Sequence, residues 1–187
     1  MIADVAGHHL GAALTMASVR SIVRAEMLYG QYPIGTVMEY LNAQLYADLA
    51  RAEQFVSAIL VQYDAAARRL QYCIAGHPAP LLLRNGRLRE LSSDSGGVLG
   101  LTAHDTFPAI EHPLQKNDLL FFYTDGLVGV SDRRGKNFGL ARLRRLLTRA
   151  SSHTARQLIA QVRADIAHFA QGHPFADDVT MMAWRIK

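Results

Sequence analysis

A block of strand-forming sequence in the middle of the chain, flanked on both sides by helix-forming sequence, limits the fold more than any other feature. From Phe55 the run "FVSAILVQYD" is continuous and β-branched, and "RLQYCIAG" follows across a short turn. "APLLLR", the dipeptide Asn85-Gly86 and "RLREL" then spell a two-residue hairpin, because Asn and Gly both accept the positive φ of a type I′ turn. Strands joined this closely must run antiparallel. Further strands are expected at Thr106 to His112, at Asp118 to Thr124, and in the closing "DVTMMAWRI".

Around this block the apolar period is helical. Leu10 to Leu28 reads as a largely buried helix with one wet stripe carrying Arg20 and Arg24, and a second helix is expected from about Ile34 to Arg51. Two amphipathic helices are expected at Leu140 to Thr148 and Thr154 to Gln171, and "SSDSGG" (Ser92 to Gly97) is a loop. The order is helices, consecutive strands, helices, strand. Segregated helices beside antiparallel strands predict an α+β fold with helices packed on sheet.

Length and composition bound the class. A chain of 187 residues, 50% hydrophobic and 19% charged, has the size of a single domain with a sizeable core. Its one cysteine, Cys73, excludes a disulfide framework or a Cys-rich zinc module, points towards a cytoplasmic setting, and alternates with core residues as a small hydrophobe. No signal peptide or membrane-spanning apolar run is present in the sequence. The formal charge of +4 is carried largely by arginines between Arg133 and Arg149, read as a solvated helix face. That stretch has no interleaved aromatics, so no nucleic-acid partner is expected.

Phosphate-loop, dinucleotide, zinc-protease and nucleophile-elbow motifs are all absent. Carboxylates at element boundaries remain. Asp4 precedes the first helix, Asp125 ends the apolar run "LLFFYTDG", and Asp177 and Asp178 open the last strand. Taken alone, Asp125-Gly126 reads as a turn, with Gly126 permitting a tight exit. If the three acidic sites converge at one end of a sheet, their oxygen-only donors suit a hard cation, Mg²⁺ or Mn²⁺.

"ADVAGHHLGAAL", "LNAQL", "QFVSAIL", "AGHPAPLLL", "VLGL", "LQKNDLLFFYTDGLV", "FGLARL" and "FADDVTMM" follow one another in an order that resembles the metal-dependent serine/threonine phosphatases of type 2C (PPM). The resemblance is to the bacterial branch named after stage II sporulation protein E and the stress sigma-factor regulators, and it spans essentially the whole chain. It implies an antiparallel two-sheet β-sandwich flanked by helices, formed by residues 1–187 as one catalytic domain. Family members carry a hairpin before the first motif, so the fold is expected to lack that hairpin and to be N-terminally truncated relative to the family.

The resemblance also implies a site. Asp4 is expected to bridge two Mn²⁺ or Mg²⁺ ions, the carbonyl of Val5 to bind one of them, and Asp125 and Asp177 to complete a shell. Asp178 is expected as a ligand or as a hydrogen-bond acceptor beside the shell. A metal-activated water then attacks phosphoserine or phosphothreonine on a bacterial signalling protein, such as an anti-sigma-factor antagonist. His8 either donates to the reacting oxygens or caps the following helix. His77 is read as a structural turn residue, and Asn42 as a buried amide bonding across the helix pair. A homodimer is compatible with this reading.

Some positions depart from the family pattern. His9 stands where a second Gly is usual, at a cost if that backbone needs positive φ. Gly129 stands where Glu is common. Asn117 replaces Gly before Asp118, a milder change because Asn tolerates left-handed turns. These departures support a second expectation, a catalytically degenerate domain that binds a partner or dimerises.

Overall fold

A computed structural model describes the 187 residues apart from positions 8, 30, 31, 94–96 and 151 and the side chains of 9 and 29. The elements in chain order are β1 (Ile2–Val5), α1 (His9–Tyr29), α2 (Ile34–Ala52), β2 (Val56–Asp64), β3 (Arg69–Ala75), β4 (Leu81–Arg84), β5 (Arg87–Glu90), β6 (Ile110–Pro113), β7 (Leu119–Tyr123), α3 (Asp125–Gly129), α4 (Leu140–Arg149), α5 (Ala155–Ala170) and β8 (Met181–Arg185). They form two antiparallel four-stranded sheets, β1-β2-β3-β6 and β5-β4-β7-β8. The chain divides into two compact units, one of residues Met1–His77 with Ser93–Pro113, the other of Pro78–Ser92 with Leu114–Lys187. No helix among the described residues is long and apolar enough to cross a membrane.

In the first unit α2 packs its buried face, Val37, Met38, Leu41, Leu45 and Leu49, against Val56, Ala58, Leu60 and Cys73 of the sheet. These helix positions recur at intervals of three or four, the spacing of one helical face. The expectation of a largely buried α1 is corrected. Among its described side chains only Val19 and Val23 are buried, while Leu10, Leu14 and Leu28 are 60–72% exposed. Its apolar residues are spread around the helix, and its buried stripe packs mainly on α2 and β1.

The strand expected at Thr106 to His112 shrinks to Ile110–Pro113. Pro108 has no N–H to give a ladder, and Phe107 turns into the core, where its carbonyl accepts the Cys73 thiol at 3.2 Å. β1 is a strand that sequence reasoning did not identify. At four residues it carries too little period to announce itself, and its partner β2 lies far along the chain.

In the second unit β4 and β5 meet through Asn85 and Gly86, with φ of 51° and 74°, the turn that the dipeptide predicts. All five residues of β7 are buried. One face of the sheet packs on α4 and α5 through Leu81, Leu83, Leu119 and Phe121 against Leu143, Leu147, Leu158, Val162 and Ile166. Thr154 starts α5 with a capping box, its hydroxyl accepting the Gln157 N–H while the Gln157 side chain takes the Thr154 N–H. Arg84 grips the buried Asp118 bidentately, Nε to Oδ1 at 2.8 Å and Nη2 to Oδ2 at 2.6 Å, which pins the start of β7 to β4. Asn117 just before it adopts φ of 70°, the left-handed conformation its residue type allows.

Candidate metal centre

The second unit assembles its acidic groups on a locked piece of backbone. β7 pairs with β8 in the register Tyr123↔Met181, and the pairing continues one step beyond the strands. The Thr124 N–H donates to the Thr180 carbonyl at 3.0 Å; the Thr124 hydroxyl accepts the Thr180 N–H at 3.0 Å and donates to the Asp178 carbonyl at 3.1 Å. Thr124 is buried, so these bonds are protected from exchange with water. Asp125 leaves this clamp as the first residue of α3, while Asp177 and Asp178 sit on the facing loop.

Gly126 makes that approach feasible. A Cβ there would lie 2.2 Å from the Asp178 carbonyl oxygen and 3.4 Å from the Asp177 Cβ. The turn that Asp125-Gly126 suggests when taken alone does not form, while Gly126 does permit the close exit that the sequence reading assigned to it. The chain enters a short helix instead, and glycine is required by the closeness of the facing loop rather than by a left-handed φ.

Asp125 and Asp177 each present a carboxylate oxygen, the two within 4.8 Å of one another, and both side chains are exposed. Asp177 Oδ1 accepts the Asp178 N–H at 2.8 Å, which fixes its rotamer. Neither Asp125 nor the exposed Asp178 side chain has a cationic partner among the described residues. Two like charges held this close repel, and an all-oxygen donor set of this kind fits a hard divalent cation.

The first unit carries the other expected residues. Asp4 is half-buried in β1 directly opposite Ser57 of β2, and Val5 is buried opposite Val56. Beyond them the Ala6 N–H donates to the Phe55 carbonyl at 2.8 Å, and Gly7 turns with φ of 103° into α1. His8 lies outside the described residues. His9 is the first residue of α1, so its backbone is helical and the cost expected from a positive φ does not arise.

His77 is buried, and its Nδ1 lies 2.9 Å from the hydroxyl of Ser57, the cross-strand neighbour of Asp4. Through this contact it supports β2 beside Asp4. For Asn42 the expected bond across the helix pair is corrected. Its amide donates to the Thr102 carbonyl at 2.8 Å and accepts the Gly100 N–H at 2.9 Å, tying α2 to a loop. Arg20 and Arg24 are exposed, as a solvated stripe requires. Gly129 faces open space, so nothing in its surroundings selects glycine there.

Thr124 and Ser57 were not recognised from sequence as parts of the site's support, whereas Gly126 was, as the residue that permits the exit to Asp125. Thr124 stands beside Asp125, and a hydroxyl residue closing the apolar run "LLFFY" is the signal that was available. Ser57 has no such local mark.

Residues 1–187 match the family model of stage II sporulation protein E (SpoIIE). Among curated relatives, the chain is 26% identical over 131 residues to "Phosphoserine phosphatase RsbP" of Bacillus subtilis, covering 68% of this chain and 32% of that one. It is 24% identical over 190 residues to "Phosphoserine phosphatase RsbU" of the same organism, covering 100% of this chain and 55% of that one. The chain therefore spans from about a third to just over half of these relatives' lengths. Among solved structures, the SiaA-PP2C domain of Pseudomonas aeruginosa superposes with a TM-score of 0.86 at 22% identity, over 99% of this chain and 74% of that one, which establishes the PP2C fold. With its whole length matched, the chain belongs to the stage II sporulation protein E (SpoIIE) family.

Proposed function

We propose that residues 1–187 form one catalytic domain of a protein serine/threonine phosphatase that uses Mn²⁺ or Mg²⁺. The observation that carries this reading is the pair Asp125 and Asp177, with oxygens within 4.8 Å on backbone clamped by Thr124, in a chain of the SpoIIE family. By the family resemblance, Asp4, the Val5 carbonyl, Asp125 and Asp177 would be the residues that hold Mn²⁺ or Mg²⁺. Asp178 then serves as a further ligand or as a hydrogen-bond acceptor beside the shell. His8 would either supply a donor to the reacting oxygens or cap the following helix.

When bound, such ions lower the pKa of a coordinated water and offset charge developing on phosphoryl oxygens. The chain's own part is to present the carboxylates without rearrangement. Thr124 and Gly126 hold the facing loop close, and the Asp178 N–H keeps Asp177 from rotating. No side chain need act as nucleophile. The exposure of Asp125 and Asp177 suits a phosphorylated residue on a protein surface better than a small enclosed substrate. Two relatives named phosphoserine phosphatases support that substrate class, and the resemblance to sigma-factor regulators points to a cytoplasmic signalling protein such as an anti-sigma-factor antagonist.

Hydrolysis of p-nitrophenyl phosphate and of a phosphoserine peptide, titrated with Mn²⁺, tests this reading. The expected result is activity that saturates with Mn²⁺, disappears with chelator, and falls at least about a hundredfold in Asp125→Asn. A folded protein inactive at every Mn²⁺ concentration would instead support a degenerate domain that binds its partner without turnover.

A further inference from the structure

The second unit holds a groove of about 470 Å³ between α4 and α5, lined by none of the proposed metal ligands and unused by the proposed reaction. Arg142, Arg145 and Arg149 line one side, and Gln161 and Asp165 of α5 line the other. Leu146, Ala150 and Phe138 supply an apolar floor. Three guanidinium groups face a single carboxylate.

The arginines of α4 are not equivalent. Arg144 pairs with Glu90. Arg142 is committed to the chain itself, donating to the carbonyls of Asn137 at 2.8 Å and Phe138 at 2.9 Å and lying 4.4 Å over the Phe169 ring. Arg145 and Arg149 have no hydrogen bond or ion pair among the described residues. They stand four residues apart on one helix face, an arrangement of like charges that weakens an isolated helix. The carbonyl end of α4 favours Arg149 but not Arg145, a turn earlier. Asp165, the acid across the groove, already accepts the Gln161 side chain at 2.9 Å.

We infer that this groove docks an acidic segment of a protein partner, with carboxylates on Arg145 and Arg149 and an apolar side chain on the Leu146 and Ala150 floor. Charge complementarity sets the sign of the occupant. Its class follows from the walls. Both arginines are exposed, as at a protein interface, where arginine beside an apolar floor is enriched. Phe138 is buried and packs edge-on against Phe169, so no free ring offers a base a stacking platform.

The test uses the full chain and no activity measurement, so its outcome is separate from that of the phosphatase reading. Fluorescence anisotropy is followed for a labelled peptide with Glu-Glu-Leu repeats and for its Gln-for-Glu counterpart. The acidic peptide is expected to bind at least about tenfold more tightly, and Arg145→Glu/Arg149→Glu to remove that preference. Arg20→Glu/Arg24→Glu, with the same spacing on α1, is expected to leave it unchanged. Arg145→Gln/Arg149→Gln serves if the charge reversal unfolds the protein, with circular dichroism as the check. Equal binding of the two peptides, or an acidic preference that survives loss of both arginines, overturns the inference. So does displacement of the peptide by inorganic phosphate or duplex DNA at comparable concentration, which would mark a general anion site or a nucleic-acid site.

Discussion

The Thr124 hydroxyl donates to the Asp178 carbonyl at 3.1 Å while accepting the Thr180 N–H at 3.0 Å, so one buried side chain joins the end of β7 to the loop that carries two aspartates. Thr124→Val keeps the shape and removes the oxygen, leaving a carbonyl and an N–H without that partner. The expected loss is about 1–3 kcal/mol of stability, measured by urea unfolding. Mn²⁺ binding measured by calorimetry is expected to weaken in the same variant, and Thr124→Ser to restore both. A Val variant as stable as the parent would show that water replaces the hydroxyl.

Gly126 lies against the same loop. An alanine Cβ 2.2 Å from the Asp178 carbonyl oxygen cannot be accommodated without moving backbone. Gly126→Ala is therefore expected to cost about 1–3 kcal/mol and to lower phosphatase activity more than stability alone explains. Gly129→Ala, at a position open to solvent, is the matched control and is expected to be neutral in stability. Equal effects of the two substitutions would refute the close-approach account.

The pair of Arg84 and Asp118 governs the other end of β7. Asp118 is fully buried and takes two guanidinium bonds as well as the Gln115 N–H, and its hydrogen bond to Arg84 holds that guanidinium's pKa above its ordinary value. Arg84→Met leaves a buried charge without its cation, with an expected cost of about 3 kcal/mol in urea unfolding. Adding Asp118→Leu removes that stranded charge, and the double variant is expected to recover part of the loss. A double variant no better than the single would place the effect elsewhere in the sheet.

Cys73 gives the protein a defined alkaline sensitivity. Burial, followed by the nearby charge of Glu39, pushes its thiol from an ordinary 9.0 up to about 12. Because the folded state has the higher pKa, the contribution to stability is whole below pH 9 and is lost as pH rises from there towards 12. The loss within that window is about 1.4 kcal/mol per pH unit, read as the difference in unfolding free energy between parent and Cys73→Ala. In native protein the thiol is expected to resist iodoacetamide at pH 8 and to react once urea unfolds the chain. Rapid native alkylation would contradict the burial.

Local patterns were sufficient for the elements that carry many residues of one period. The central strands, the Asn85-Gly86 hairpin, α2, α4 and α5 all follow from alternation, helical spacing and turn chemistry, because those signals sit within a few residues of one another. The choice of Asp125 and Asp177 as candidate ligands was also legible, since carboxylates at the ends of apolar strands are conspicuous and the family motifs surround them.

Tertiary structure decided what depends on residues far apart in the chain. β1 exists because β2 pairs with it, and α1 is exposed because its apolar residues have neighbours on one side only. Asn42 bonds to a loop about sixty residues away rather than to its helix neighbour. The sequence by itself determined which residues are acidic and which strands precede them. Only the fold determined that Thr124 meets Asp178 and Thr180, that Gly126 must be small because of the facing loop, and that Asp125 opens a helix rather than a turn. Closing a contact over more than fifty residues is a property of packing and loop entropy, which no short window of sequence contains.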